Sequence, residues 1–88
     1  MKHCILDGRT IETSEQLHTV LQQELGLPEW YGRNLDALYD SLTDSHERIS
    51  IEMRNPEALA AHLGRYAKAL EQVIRDAAEE NAQIEVIG

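Results

Sequence analysis

Residues Leu27–Thr43, LPEWYGRNLDALYDSLT, hold three of the chain's four aromatic side chains, Trp30, Tyr31 and Tyr39, and set them around a loop that runs into a helix. Leu27-Pro28 closes whatever precedes it, because proline supplies no amide donor and pushes the residue before it out of the helical region. Gly32 permits a close approach or a positive φ, and Asn34 is a good N-cap for a helix starting at Leu35 and running to about Asp44. At about 100° per residue, Leu35, Leu38 and Leu42 share one face while Asp36, Tyr39, Asp40 and Thr43 share the opposite one. The leucines are expected to turn inward. That leaves an outward patch of two aspartates, a tyrosine and a threonine, with Trp30 and Tyr31 arriving at its edge.

The acids of this helix are the informative residues. Asp36 lies in the first turn, where the helix dipole favours a carboxylate by roughly 0.3–1 kcal/mol, so alone it is accounted for structurally. Asp40 and Asp44 have no such support. With Asp36 they form an i, i+4, i+8 ladder of like charge, and each neighbouring pair costs roughly 0.2–0.5 kcal/mol. A helix that bears its own repulsion is a candidate for meeting a positive partner. The wider charge agrees: between Thr10 and Glu47 eight acids face Arg33 alone, so that span carries −7 of the chain's −8. Such asymmetry argues against direct binding to nucleic acid or an anionic membrane, and for a basic protein steered in by the field. An acidic surface that merely keeps a small protein soluble is the plainer alternative on charge alone.

Working outward, His3–Leu6 is a short apolar run closed by the turn signal Asp7-Gly8, and reads as a first strand. Thr13 with Gln16 makes a capping box for a helix with Leu17, Val20, Leu21 and Leu25 on one stripe, ended by Gly26. Beyond the acidic helix, Ile49–Met53 alternates Ile49, Ile51 and Met53 inward with Ser50 and Glu52 outward. Asn55-Pro56-Glu57 supplies a cap, a proline at the first helical position and an acid in the first turn, starting a helix that carries Leu59 and Leu63 to Gly64. Tyr66 opens a longer helix with Tyr66, Ala69, Leu70, Val73, Ile74 and Ala77 as its buried stripe and Glu71 paired to Arg75. Gln83–Ile87 closes the chain as a third strand. The order strand, two helices, strand, two helices, strand predicts an α/β fold with a small parallel sheet covered by helices.

Length and composition bound the rest. Eighty-eight residues make one domain, 1–88, which at this size buries only about 60–65% of its unfolded surface. The apolar run in MKHCILDG is too short for a secretion signal and no membrane span is visible, so a cytoplasmic protein is expected. One cysteine, Cys4, allows no internal disulfide and fits a reducing compartment. Its place in an apolar strand suggests a packed residue, not a nucleophile. The four histidines, His3, His18, His46 and His62, have no metal-ligand spacing. Asp36 and Asp40 could form an acid–base pair only if desolvation split their pKa values, and a helix face of so small a protein offers no deep pocket for that. Phosphate loops and nucleophile elbows are absent, so neither an enzyme nor any cofactor or metal is expected.

The run LPEWYGRNLDALYDSLT resembles the signature segment of the barstar family, intracellular inhibitors of barnase-type ribonucleases. The opening strand and turn with Ile11, the Leu17-His18 helix ending ELGLPE, and the QVIRDA segment extend the similarity over most of the chain. The resemblance implies a three-stranded parallel sheet packed with about four helices, in a protein that is a monomer when free and plugs the active site of a basic, secreted ribonuclease. It makes Asp40 the central anchor, at the place of the RNA phosphate, with Asp36 pairing an arginine from the turn before. Trp30 and Tyr39 flank them, Gly32, Asn34, Leu35 and Thr43 supply close contacts, and Asp76 reaches a further basic group. Departures from the family pattern lie at the rim. Trp30 and Tyr39 exchange aromatic types, Asp76 replaces a longer acid, Asp44-Ser45 stands where the family has a glycine and a tryptophan, and Ser41 and Ala82 occupy the family's cysteine positions. A related ribonuclease is the implied target. An immunity or interaction module of the same fold, binding a different basic protein, is the alternative.

Overall fold

A computed structural model describes all 88 residues of the chain. Three strands, β1 (Lys2–Asp7), β2 (Ile49–Arg54) and β3 (Ile84–Ile87), form one parallel sheet in the order β1-β2-β3. Each consecutive pair is joined by two helices: α1 (Ser14–Leu25) and α2 (Leu35–Thr43), then α3 (Pro56–Leu63) and α4 (Arg65–Glu80). This is the α/β architecture that the order of elements predicts, since parallel neighbours need a crossover and helices supply it.

The register explains which face the helices take. Cys4 lies opposite Ile51, which lies opposite Val86, and one step along Lys2, Ile49 and Ile84 align. On this face Cys4, Leu6, Ile49, Ile51 and Ile84 are buried. The alternate positions His3 and Glu85 stay exposed and Ile87 is 38% exposed, so the helices cover one side of the sheet only. Ser50 points outward as expected, yet it is buried to 1% exposure. It lies on the open face as a short side chain on the central strand between the longer His3 and Glu85.

Capping fixes the ends of α1. The Thr13 hydroxyl accepts the Gln16 amide, the Gln16 side chain accepts the Glu12 amide, and Gly26 closes the helix at φ 63°, a left-handed conformation glycine adopts without strain. Leu17, Leu21 and Leu25 are buried as expected and Val20 is half-buried. Two details at the later helices differ from expectation. Asn55 is not a side-chain cap: it sits at φ 51° and its amide donates instead to the Asp7 carboxylate at 2.8 Å, tying α3 to the end of β1. On α4 the buried stripe is Ala67, Leu70, Ile74 and Ala77, while Ala69 is exposed and Tyr66 and Val73 are half-buried. The Glu71–Arg75 pair forms as expected.

The thiol of Cys4 is pushed up to about 12 by burial, with the Glu24 carboxylate adding to the effect. It is an inert core group at neutral pH. No helix is long and apolar enough to cross a membrane.

Candidate functional site

The acidic helix is built from its N-terminus. Asn34 caps α2 through its side-chain oxygen, which accepts the Ala37 amide at 2.8 Å, while its nitrogen donates to the Gly32 carbonyl at 3.2 Å. Leu38 and Leu42 are completely buried, and Leu35 is half-buried against the same core. α2 packs on α4. Its C-terminal carbonyls are gathered by Asn81, whose amide donates to Leu42 and Ser45 at 2.9 Å each and to Thr43 at 3.4 Å. Thus both ends of a nine-residue helix are held by asparagine side chains, and its inner face by two leucines.

The outer face is then determined. Asp36, Asp40 and Asp44 are exposed, and none takes part in an ion pair. The pairs that do form lie elsewhere: Lys2–Glu47, His3–Glu52, Arg54–Glu52 and Arg75–Glu71. Asp44 sits at the helix C-terminus with no basic residue in the last turn, where the dipole disfavours a negative charge. Thr43 is half-buried and its hydroxyl donates back to the Tyr39 carbonyl at 2.9 Å. The half-buried Tyr39 phenol is raised above its ordinary value by burial, then by the carboxylates of Glu80, Asp76 and Asp40. This brings α4 into the site. Asp76, exposed and accepting from Gln72 at 2.9 Å, and Glu80 both belong to the acidic surface around Tyr39. Nothing in the sequence pattern marks Glu80, whose place beside Tyr39 depends on how α4 packs against α2.

The loop before α2 forms the second wall. Tyr31 donates its amide to the Pro28 carbonyl at 3.0 Å in a turn that lifts Trp30 into solvent, 85% exposed. Between Trp30 and α2 lies a hollow of about 360 Å³, lined among others by Pro28, Trp30, Gly32, Asp40 and Asp44. Glycine at position 32 serves close approach, since a Cβ there would stand 3.1 Å from that of Ala37. The positive φ belongs to its neighbour Arg33, at 53°.

Tyr31 is a correction. Expected at the edge of the patch, it is buried to 5% exposure, and its hydroxyl lies 2.8 Å from His18 Nδ1. His18 Nε2 lies 2.6 Å from the Tyr66 hydroxyl, so a histidine on α1 bridges the loop to α4. A neutral imidazole donates from one nitrogen and accepts at the other, which satisfies both phenols and keeps the ring buried without charge. Burial pushes the Tyr31 phenol up to about 12. The residues around Tyr31 in sequence give no sign of this, because its partner His18 lies 13 residues back on α1 and the link continues from there to Tyr66 on α4.

A pH dependence follows. Burial, and then the nearby Arg33 charge, hold His18 below its ordinary value of 6.5. The unfolded chain therefore binds this proton more readily than the folded one. Stability contributed by neutral His18 is complete above the ordinary value and is lost as pH falls through it, levelling off below the folded value. In denaturant titrations between about pH 7 and about pH 5.5 the wild type is expected to weaken on acidification, and His18→Gln to show a flatter profile. Parallel profiles for the two proteins would dismiss His18 as the source.

The whole-chain comparisons agree with one another. A family model described as Barstar (barnase inhibitor) matches residues 1–87. A Bacillus subtilis (strain 168) protein named "Putative ribonuclease inhibitor YrdF" is 42% identical over 81 residues, covering 91% of this chain and 89% of that protein. The family description is that of an inhibitor, not an enzyme. With the match spanning nearly every residue and the parallel three-stranded sheet in place, the chain belongs to the barstar family.

Proposed function

We propose that the protein inhibits a basic, secreted ribonuclease of the barnase type by covering its active site with α2 and the Trp30 loop. The observation that carries this reading is Asp40: exposed on a helix held at both ends, with no cation of its own chain paired to it. Carboxylates displayed in this way imitate phosphate oxygens and can accept paired bonds from arginine. Asp36 and Asp44 extend the negative row, and Asp76 widens it from α4. Trp30 and Tyr39 offer aromatic contact area at low entropic cost. Gly32, Asn34, Leu35 and Thr43 border the row, while Tyr31 acts from beneath by bracing the loop. Inhibition is steric and competitive, and no bond is made or broken. The family description and the name of the Bacillus subtilis relative both support a ribonuclease as the target class.

The test is inhibition of a panel of barnase-type ribonucleases by the purified protein. Competitive inhibition of at least one at stoichiometric concentration is expected. Failure against the whole panel, with tight binding to some other basic protein, would replace this reading with that of an immunity module. The acidic span also makes a kinetic prediction. The association rate with the target should fall by roughly tenfold or more as ionic strength rises to the physiological range, where the Debye length is about 8 Å. Stopped-flow mixing across a salt series reads this directly, and a flat series would remove steering from the account.

A further inference from the structure

Arg33 is the one lysine or arginine among eight acids between Thr10 and Glu47, and it stands next to the cap of the acidic helix. Despite the acids in its span of sequence, it forms no ion pair. Its guanidinium turns back onto α1, donating to the Glu15 carbonyl at 2.9 Å, the Thr19 hydroxyl at 2.7 Å and the Gln22 side-chain oxygen at 2.8 Å. Gln22 in turn donates to the Pro28 carbonyl at 2.8 Å, at the other end of the same loop. All the acceptors are neutral, so what the arrangement gains is geometry: a planar fork meets three fixed points on successive turns of one helix. The backbone of Arg33 is left-handed, at φ 53°, and a non-glycine residue stays there only where its surroundings over-determine it.

We propose that Arg33 is the positioning residue of the Trp30 loop, clamping it to α1 so that Trp30 is held at a fixed place beside Asp40. The proposal builds on the reading of this face as the ribonuclease-binding surface. It makes a prediction opposite in sign to electrostatics. Against a basic partner Arg33 is a repellent charge, and its removal takes the net from −8 to −9. Steering alone then calls for faster association and tighter binding. Loss of the clamp calls for weaker binding through faster dissociation, because the loop must be ordered on contact and not before.

The experiment uses Arg33→Asn, whose side chain tolerates the left-handed backbone but cannot span to α1, and Arg33→Lys, which keeps the charge and loses the fork. Trp30 is the only tryptophan, so its fluorescence anisotropy decay in the free protein reports on this loop alone. Arg33→Asn is expected to add fast local motion of Trp30 with helical content unchanged. Against a barnase-type ribonuclease that the wild type inhibits, it should dissociate roughly tenfold faster while associating at least as fast. Arg33→Lys should share the faster dissociation at unchanged net charge, and it carries the test if the asparagine variant fails to fold. Unaltered Trp30 motion in the variant that folds, or affinity equal to or above wild type, overturns the clamp. If no ribonuclease is inhibited by the wild type, the functional reading fails while the anisotropy still decides on Arg33.

Discussion

Asp40→Ala is expected to weaken binding to the ribonuclease target by more than about 2 kcal/mol, roughly thirtyfold, and at the same time to leave the fold as stable as before or slightly more so. The two halves have separate causes. In a complex Asp40 would be desolvated at the centre of the contact, and truncating it leaves the partner's cations buried and unpaired, a costlier state than losing an exposed contact. Barnase–barstar is itself the reference case for such a charged anchor, and the size of the binding effect is taken over from that pair. The stability half rests on this chain alone. In the free protein Asp40 is exposed, pairs with no cation, and stands one turn from both Asp36 and Asp44. Removing it relieves two like-charge contacts of roughly 0.2–0.5 kcal/mol each and installs the best helix former. A calorimetric titration together with a thermal melt reads both halves. Undiminished affinity discards the anchor, and a lowered melting temperature would mean that Asp40 holds the fold together in some way its exposure does not suggest.

What could be read from sequence was local. The Asn34 cap, the inward Leu38 and Leu42, the Gly26 stop and the Glu71–Arg75 pair depend on neighbours within about one or two turns, where periodicity and capping rules apply directly. The same rules put Asp36, Asp40 and Asp44 on the surface correctly, because the opposite face had to be buried. The readings that failed concern side chains with distant partners. Tyr31 turns inward to His18 and, through it, to Tyr66, 48 residues beyond that histidine. Asn55 gives up capping for Asp7, also 48 residues away. Arg33 reads as the lone exception to an acidic span, and only the packing of the loop on α1 shows what its charge is attached to. Ala67 and Ala69 are indistinguishable by hydrophobicity, and the phase of α4 against the elements it packs on, α2, α3 and β3, decides between them. The acidic face of α2 was therefore legible as a row of charges, whereas the means of holding it still was not.

Leu38→Ala should have the opposite profile to Asp40→Ala, and this contrast is the sharpest test of how α2 works. A helix of nine residues is too short to persist alone in water, so the acid row exists only while the inner face is docked. Leu38 is fully buried in that face, with Leu42 one turn on. Truncating a buried leucine costs about 2–5 kcal/mol in lost transfer energy and cavity formation, against a total of roughly 4–13 kcal/mol for a chain of this length. A melting temperature lowered by more than about 8 °C is expected at this size. Binding measured well below that temperature should be much less affected, because the exposed carboxylates, the Asn34 cap and the Asn81 clamp remain. If Leu38→Ala instead lost affinity as severely as Asp40→Ala while melting normally, α2 would have to rearrange on contact, and rigid display of the aspartates would give way to folding upon binding. Equal loss in both properties would mean that α2 detaches before the rest of the chain unfolds. The three outcomes separate a preformed anionic face from one assembled by the partner, and the hydrogen bonds at both ends of α2 favour the first.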